Sequence, residues 1–159
     1  MGIIYRKAIP KDLDNICNLR KQLAHDLEDK LTTEYAPYCA GRDRVWIKKC
    51  LHSRNKVILI AELQGIVIAH AIVSIEKVSP KMQDYYTYSK KALIVHLYVD
   101  ENKRRQGIGS ALTNYTLKYL KEHGVDFVDL ECYAYNQKAK CLYEKMGFVD
   151  VFTTKRFVL

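Results

Sequence analysis

The chain is 159 residues long, 48% apolar and 28% charged, with only three prolines and seven glycines. Such values fit one globular domain, residues 1–159, with a core of ordinary size, and they exclude a low-complexity chain. No apolar run approaches the ~20 residues of a membrane-spanning helix, and the formal charge of +8 favours anionic partners without any block of five like charges that would mark a basic tail.

The opening "MGIIYRKAIP" has no apolar core long enough for a signal peptide. Arg6 stands where a myristoylation site needs Ser or Thr. A cytoplasmic protein is expected. "GIIYRKAI" alternates as a strand does, and "PKDLDNICNLRKQLAHDLED" reads as a helix. Pro10 and Asp12 suit its start, and Leu13, Ile16, Leu19, Leu23 and Leu27 form its apolar stripe. A polar connection, "KLTTEYAPYCAG", leads to a second helix, "RDRVWIKKCLH". In "KVILIAELQGIVIAHAIVSIEK" two β-branched runs flank Gln64-Gly65, which predicts a hairpin. "SPKMQDYYTYSK" is a loop, and "ALIVHLYV", almost continuously apolar, is a buried strand. A helix follows from about Gly107 to Glu122, stopped by His123-Gly124. "VDFVDLECY" is a strand, "NQKAKCLYEKM" a helix ended by Gly147, and "FVDVFTTKRFVL" supplies one or two closing strands. The order predicts an α+β fold: an antiparallel meander, then strand–helix–strand with a short crossover.

Cys17, Cys39, Cys50, Cys132 and Cys141 are odd in number and contain no C-x-x-C. Neither a disulfide framework nor a metal site is expected, and reduced, mostly buried thiols are.

"NKRRQGIGSALTNY" places Gly-x-Gly and two arginines where a strand passes into a helix. The first N–H groups of a helix have no intrahelical partner, and the helix dipole adds about half a positive charge there. Gly107 and Gly109 let a ligand come close to the backbone, while Arg104 and Arg105 add charge. Phosphate is the natural occupant. A dinucleotide fingerprint fails because Leu112 stands at its third glycine, and a Walker loop fails for want of Gly-Lys-Ser/Thr. Arg-x-x-Gly-x-Gly remains. A second motif lies about 30 residues on, in "NQKAKCLYEKMGF", with Asn136, Tyr143, Gly147 and Phe148.

The two motifs, with "HLYV" ahead of the first, closely resemble the GCN5-related N-acetyltransferases (GNAT family) over roughly Leu93 to Phe148. The resemblance implies a mixed, mostly antiparallel sheet of six to seven strands, splayed between strands 4 and 5, with about four helices. It implies acetyl-CoA as the cofactor, its pyrophosphate held by Arg104, Arg105, Gln106, Gly107, Ile108, Gly109 and Ser110. Leu97, Tyr98 and Val99 would meet the pantetheine arm, as would Asn136, and Tyr143 would meet the departing sulfur.

Acetyl transfer to an amine needs a proton acceptor, because a lysine-type amine with pKa near 10.4 is almost wholly charged at pH 7. It also needs an N–H for the oxyanion and an acid for the thiolate. Tyr143 suits the last task. His96, the one polar residue of "ALIVHLYV", is the candidate base. Relatives carry a glutamate one residue earlier, where this chain has Val95. Water relayed from a carboxylate is the competing route. Glu34 and Tyr35 in one connection, and Tyr85 and Tyr86 in another, are candidates for the acceptor. The expected function is acetyl transfer to a primary amine of a small molecule by direct attack in a ternary complex. A protein or peptide acceptor is the alternative, as is a CoA-binding regulator without turnover, which would not need Tyr143. No nucleic-acid motif or membrane partner is expected, and a homodimer is compatible with the sequence.

Overall fold

In the computed structural model, residues 2–28 and 38–155 are described. The strands are β1 (Ile4–Lys7), β2 (Lys56–Leu63), β3 (Ile66–Lys77), β4 (Lys90–Val99) and β5 (Phe127–Leu130). The helices are α1 (Leu13–Glu28), α2 (Ala40–Leu51), α3 (Ile108–Glu122) and α4 (Gln137–Lys145). Short 3-10 turns at Pro10–Asp12, Pro80–Tyr85 and Glu101–Lys103 precede α1, β4 and α3.

Strand order is β1-β2-β3-β4-β5. The first four strands form an antiparallel meander, and β5 joins β4 in parallel after α3 crosses over. Alternation along β2 sorts its side chains. Val57, Leu59 and Ala61 join the core under α3, with Leu112 and Leu120, whereas Ile58 and Ile60 join Ile16, Leu19 and Ile47 under α1 and α2. Two cores on opposite sheet faces result, and the sheet is buried on both sides. The β2–β3 turn has Gln64 at φ 52° and Gly65 at φ 82°. Positive φ at both central residues marks the turn that matches strand twist. Arg6 on β1 ties the sheet to the start of α1: it grips Asp12 through two hydrogen bonds of 2.7 and 2.8 Å and also pairs with Glu62 on β2.

The sheet has five strands among the described residues rather than the six or seven expected. Residues 148–155 hold no strand, and Val149, Val151 and Phe152 stand 80%, 77% and 80% exposed. The alternating pattern of "FVDVF" supplies local preference only; a strand also needs a partner edge, and β5 offers four residues. The thiols differ from expectation too: only Cys50 is buried, and Cys39, Cys132 and Cys141 are exposed.

Candidate active site

The opening expected between the fourth and fifth strands follows from the registers. β4 pairs with β5 from Lys91–Phe127 to Ile94–Leu130 and no further. Among the described residues it continues beside β3 alone to Val99, so Leu97, Tyr98 and Val99 lie on an edge with no strand partner among those residues on the β5 side. A bulge sits at the parting point. His96 pairs with Ile72 and Ile94 with Val73, which leaves Val95 without a partner. The extra residue shifts the alternation. Ala92 and Ile94 face α3 before it, Leu97 and Val99 face α3 after it, and His96 and Tyr98 turn toward α1 and α2.

β4 leads directly into the Gly-x-Gly turn. Asp100 accepts the Asn102 N–H at 2.9 Å, Arg105 has φ 62°, and Gly107 has φ 76°. The first α3 bond runs from the Ala111 N–H to the Gly107 carbonyl at 3.0 Å. The N–H groups of Ile108, Gly109 and Ser110 precede it without an intrahelical acceptor, an arrangement that can serve as an anion cradle. A side chain at Gly109 would point at Val99 and Leu142, 3.7 and 3.8 Å from its Cβ. Gly109 therefore serves the packing of α3 on β4 and α4 as well as the cradle. Arg105 and Gln106 are exposed beside the cradle. Arg104 takes another course. Its Nη2 donates to Asp26 at 2.7 Å, its Nε donates to the Val99 carbonyl at 3.1 Å, and its guanidinium lies 4.9 Å from the centre of the Tyr98 ring.

Leu142 brings the second motif to the first, and Tyr143 is the next residue. Asn136 caps α4, its side chain accepting the Ala139 N–H at 3.2 Å. Gly147, at φ 91°, ends the helix, and the chain doubles back so that the Phe148 N–H donates to the Tyr143 carbonyl at 3.0 Å. The Phe148 ring meets the Tyr143 ring edge-on at 5.7 Å. Burial, with a smaller effect from Cys132, pushes the Tyr143 phenol up to about 12. The phenol is a proton donor at neutral pH. Cys132, just beyond the end of β5, was not singled out by the sequence as its neighbour.

His96 lies on the other face of the opening, edge-on to Trp46 with centroids 5.6 Å apart. The Arg20 guanidinium covers that indole at 5.3 Å and pairs with Asp43 at 3.0 Å. Burial first, and Arg20 second, pull the His96 imidazole down to about 3. It is neutral at pH 7, with a lone pair that can accept a hydrogen bond but holds a proton weakly. His70, across from Tyr98 on β3, is fully buried, and burial pulls its imidazole well below 6.5.

Glu34 and Tyr35 lie outside the described residues. Tyr85 and Tyr86 are exposed and flank the start of β4. Tyr86 lines a surface groove of about 190 Å³ with Tyr88, Met82, Lys77 and Lys91. That groove lies beside Lys91 near the start of β4, whereas the cradle follows the turn after its end at Val99, about 26 Å along the strand from Lys91 at ~3.3 Å per residue. Among the described residues there is no cluster of three or more metal-ligating side chains, and no helix is long and apolar enough to cross a membrane.

Solved structures share this architecture. A mutant of the BH1408 protein from Bacillus halodurans superposes with a TM-score of 0.80 at 22% identity, covering 98% of this chain and 99% of that one. The aminoglycoside N-acetyltransferase AAC(6')-Iy in complex with CoA superposes with a TM-score of 0.78 at 15% identity, covering 99% and 95%. In sequence, an N-alpha-acetyltransferase of Sulfurisphaera tokodaii is 33% identical over 99 residues, 62% of this chain and 59% of that protein. The ribosomal protein bS18-alanine N-acetyltransferase of Escherichia coli K12 is 38% identical over 67 residues, 42% of this chain and 45% of that protein. The chain thus spans about half the length of these sequence relatives. The acetyltransferase (GNAT) family model matches residues 20–148, both motifs included, and the chain belongs to that family.

Proposed function

We propose that this chain moves an acetyl group from acetyl-CoA to a primary amine, by direct attack in a ternary complex. The observation that carries the reading is the meeting of the two motifs at the mouth of the opening, where Gly109 faces both Val99 and Leu142. The cradle fits a diphosphate, since it offers α3 N–H groups, an exposed Arg105 and a left-handed Gly107. The cofactor supplies the activated acetyl group and a thiolate leaving group. The edge at Leu97, Tyr98 and Val99 offers backbone groups to an amide-bearing arm, and Asn136 keeps an amide N–H free of its capping role. Tyr143 gives its phenolic proton to the departing sulfur as the new C–N bond forms and the C–S bond breaks. The proton leaving the amine passes to water or to His96, and an imidazole held near 3 favours water.

A small-molecule amine is the acceptor in the first reading. The α-amine of a protein or peptide is the second reading, supported by relatives that act as N-alpha-acetyltransferases or on ribosomal protein bS18 alanine. Tyr85 and Tyr86 belong to the acceptor side in either case, and the cytoplasm is the setting in this reading. Free-thiol release from acetyl-CoA, measured across a panel of small amines and of short peptides with free N-termini, tests it. Turnover with small amines alone favours the first acceptor, and turnover with peptides alone the second. Tight CoA binding with no turnover in either panel overturns catalysis and leaves a CoA-binding regulator.

A further inference from the structure

We infer that Arg104 and Asp26 form a clasp that positions the anion cradle, and that Arg104 is a positioning residue rather than a phosphate ligand. The inference rests on the proposed CoA site. Arg104 is spent on protein partners from three directions: the Asp26 carboxylate, the Val99 carbonyl and the Tyr98 ring. The Tyr98 hydroxyl donates to the same Asp26 oxygen at 3.3 Å. One turn earlier on α1, Gln22 donates to Asp100 at 3.4 Å, and Asp100 itself holds the Asn102 N–H. Gln22 and Asp26 stand four residues apart on one helix face. They grip Asp100 and Arg104, which are the two ends of the turn between β4 and the cradle. The end of α1 is thereby fastened to the segment whose backbone must present its N–H groups to an anion.

Electrostatics gives the clasp a second task. An unpaired Asp26 carboxylate close to the cradle would repel a diphosphate, and Arg104 neutralises it. Positive charge for the ligand then falls to Arg105 and to the N-terminus of α3, which has no acidic residue in its first turn. The pair is 42% and 35% exposed, so its grip is modest, and the expected effects are correspondingly small.

The two roles for Arg104 predict opposite signs for one substitution. If Arg104 were a phosphate ligand, Asp26→Asn would free it and remove a nearby anion, and CoA would bind more tightly. If it is a clasp, Asp26→Asn loosens the turn, and CoA binds about three- to fivefold more weakly by calorimetry. Amide hydrogen exchange over residues 101–110, measured without CoA, is the second readout. It should quicken in Asp26→Asn and in Arg104→Lys, because lysine cannot span Val99 and Asp26 together. The double variant should be no worse than the poorer single one. Tighter CoA binding in Asp26→Asn overturns the clasp, and so does unaltered exchange in both single variants. A wild-type protein that fails to bind CoA overturns the proposed function instead, while the exchange measurement still decides the clasp.

Discussion

The ring of His96 meets that of Trp46 edge-on, 5.6 Å between centroids and 82° between planes. α2 thus covers a β4 residue that stands at the parting of β4 and β5, and this cover is what strips the imidazole of water. With its pKa pulled down to about 3, His96 stays neutral from pH 5 to pH 8. It would gain a proton only as the pH falls toward 3.

A rate profile should reflect that. In kcat/KM against pH, any rise between pH 6 and 9 should come from deprotonation of the amine acceptor, not of His96. The same apparent pKa is expected for the wild type and for a folded His96→Ala protein. Turnover should fall by less than about tenfold, short of the 10²–10⁴ of a working general base. A limb near 6.5 that vanishes in the variant, with a loss of 10² or more, would make His96 the base.

The same burial makes the fold sensitive to acid. His70 and His96 both have folded pKa values below the unfolded value near 6.5. Below pH 6.5 the unfolded chain therefore binds more protons, for His96 down to about pH 3, and stability falls as the pH falls. The slope is up to about 1.4 kcal/mol per pH unit for each histidine. Urea unfolding at pH 7.5 and pH 5 should show the loss before the carboxylates titrate. Replacing His70 with Leu, which needs no partner in that site, should flatten the slope by about one proton. An unchanged slope would mean that His70 is charged in the fold.

Much of this was legible in the sequence, and the gaps have physical causes. The β2–β3 hairpin was readable because Gln64-Gly65 and the flanking β-branched runs act locally, and the observed turn has positive φ at both residues. The strands of the meander, α3 and the strand that follows it were readable for the same reason, since periodicity reports one element's own burial. The bulge at Val95 was not, because it is a property of pairing with β3. Without it the facing of His96 cannot be assigned. Asp26 was missed because its significance arises only when α1 crosses the end of β4, 78 positions away from Arg104 in sequence. Over residues 148–155 a closing strand was over-read from alternation in "FVDVF", where pattern was present but the partner edge was short, and residues 156–159 of that expectation lie outside the described residues.

The two motif glycines should respond differently to alanine. Gly107 sits at φ 76°, where any other L-residue is strained by about 1 kcal/mol. Gly109 has an ordinary φ, and its added Cβ meets neighbours at 3.7 and 3.8 Å, normal contact. Gly107→Ala should lower thermal stability and weaken CoA binding severalfold. Gly109→Ala should leave stability nearly unchanged. Gly109→Val, with two more methyls against Val99, Leu142 and the cradle, should weaken CoA binding at least tenfold, about 1.4 kcal/mol. Calorimetry with CoA and thermal melts on the three proteins check the order. Equal effects of alanine at both positions would refute the geometric distinction.

Tyr143 provides the sharpest test of the proposed chemistry. Its phenol is held at about 12, so at pH 7 only about one molecule in 10⁵ is ionised. An acid kept protonated in this way gives no falling limb below pH 10. Tyr143→Phe removes the O–H and keeps the ring, and with it the edge contact to Phe148 and the backbone bond that closes α4. The variant should melt close to the wild type. If the O–H donates to the departing sulfur, kcat falls by roughly 10² while direct CoA affinity changes less than twofold, since the interaction is made only as the C–S bond breaks. Steady-state kinetics, calorimetry and a melt on the same preparation separate the outcomes. An unchanged kcat would leave Tyr143 as a packing residue. A retained kcat with weaker CoA binding would make it a binding residue. In both of those cases water would be the acid at the sulfur, and the leaving-group step would depend on solvent entering the opening between β4 and β5.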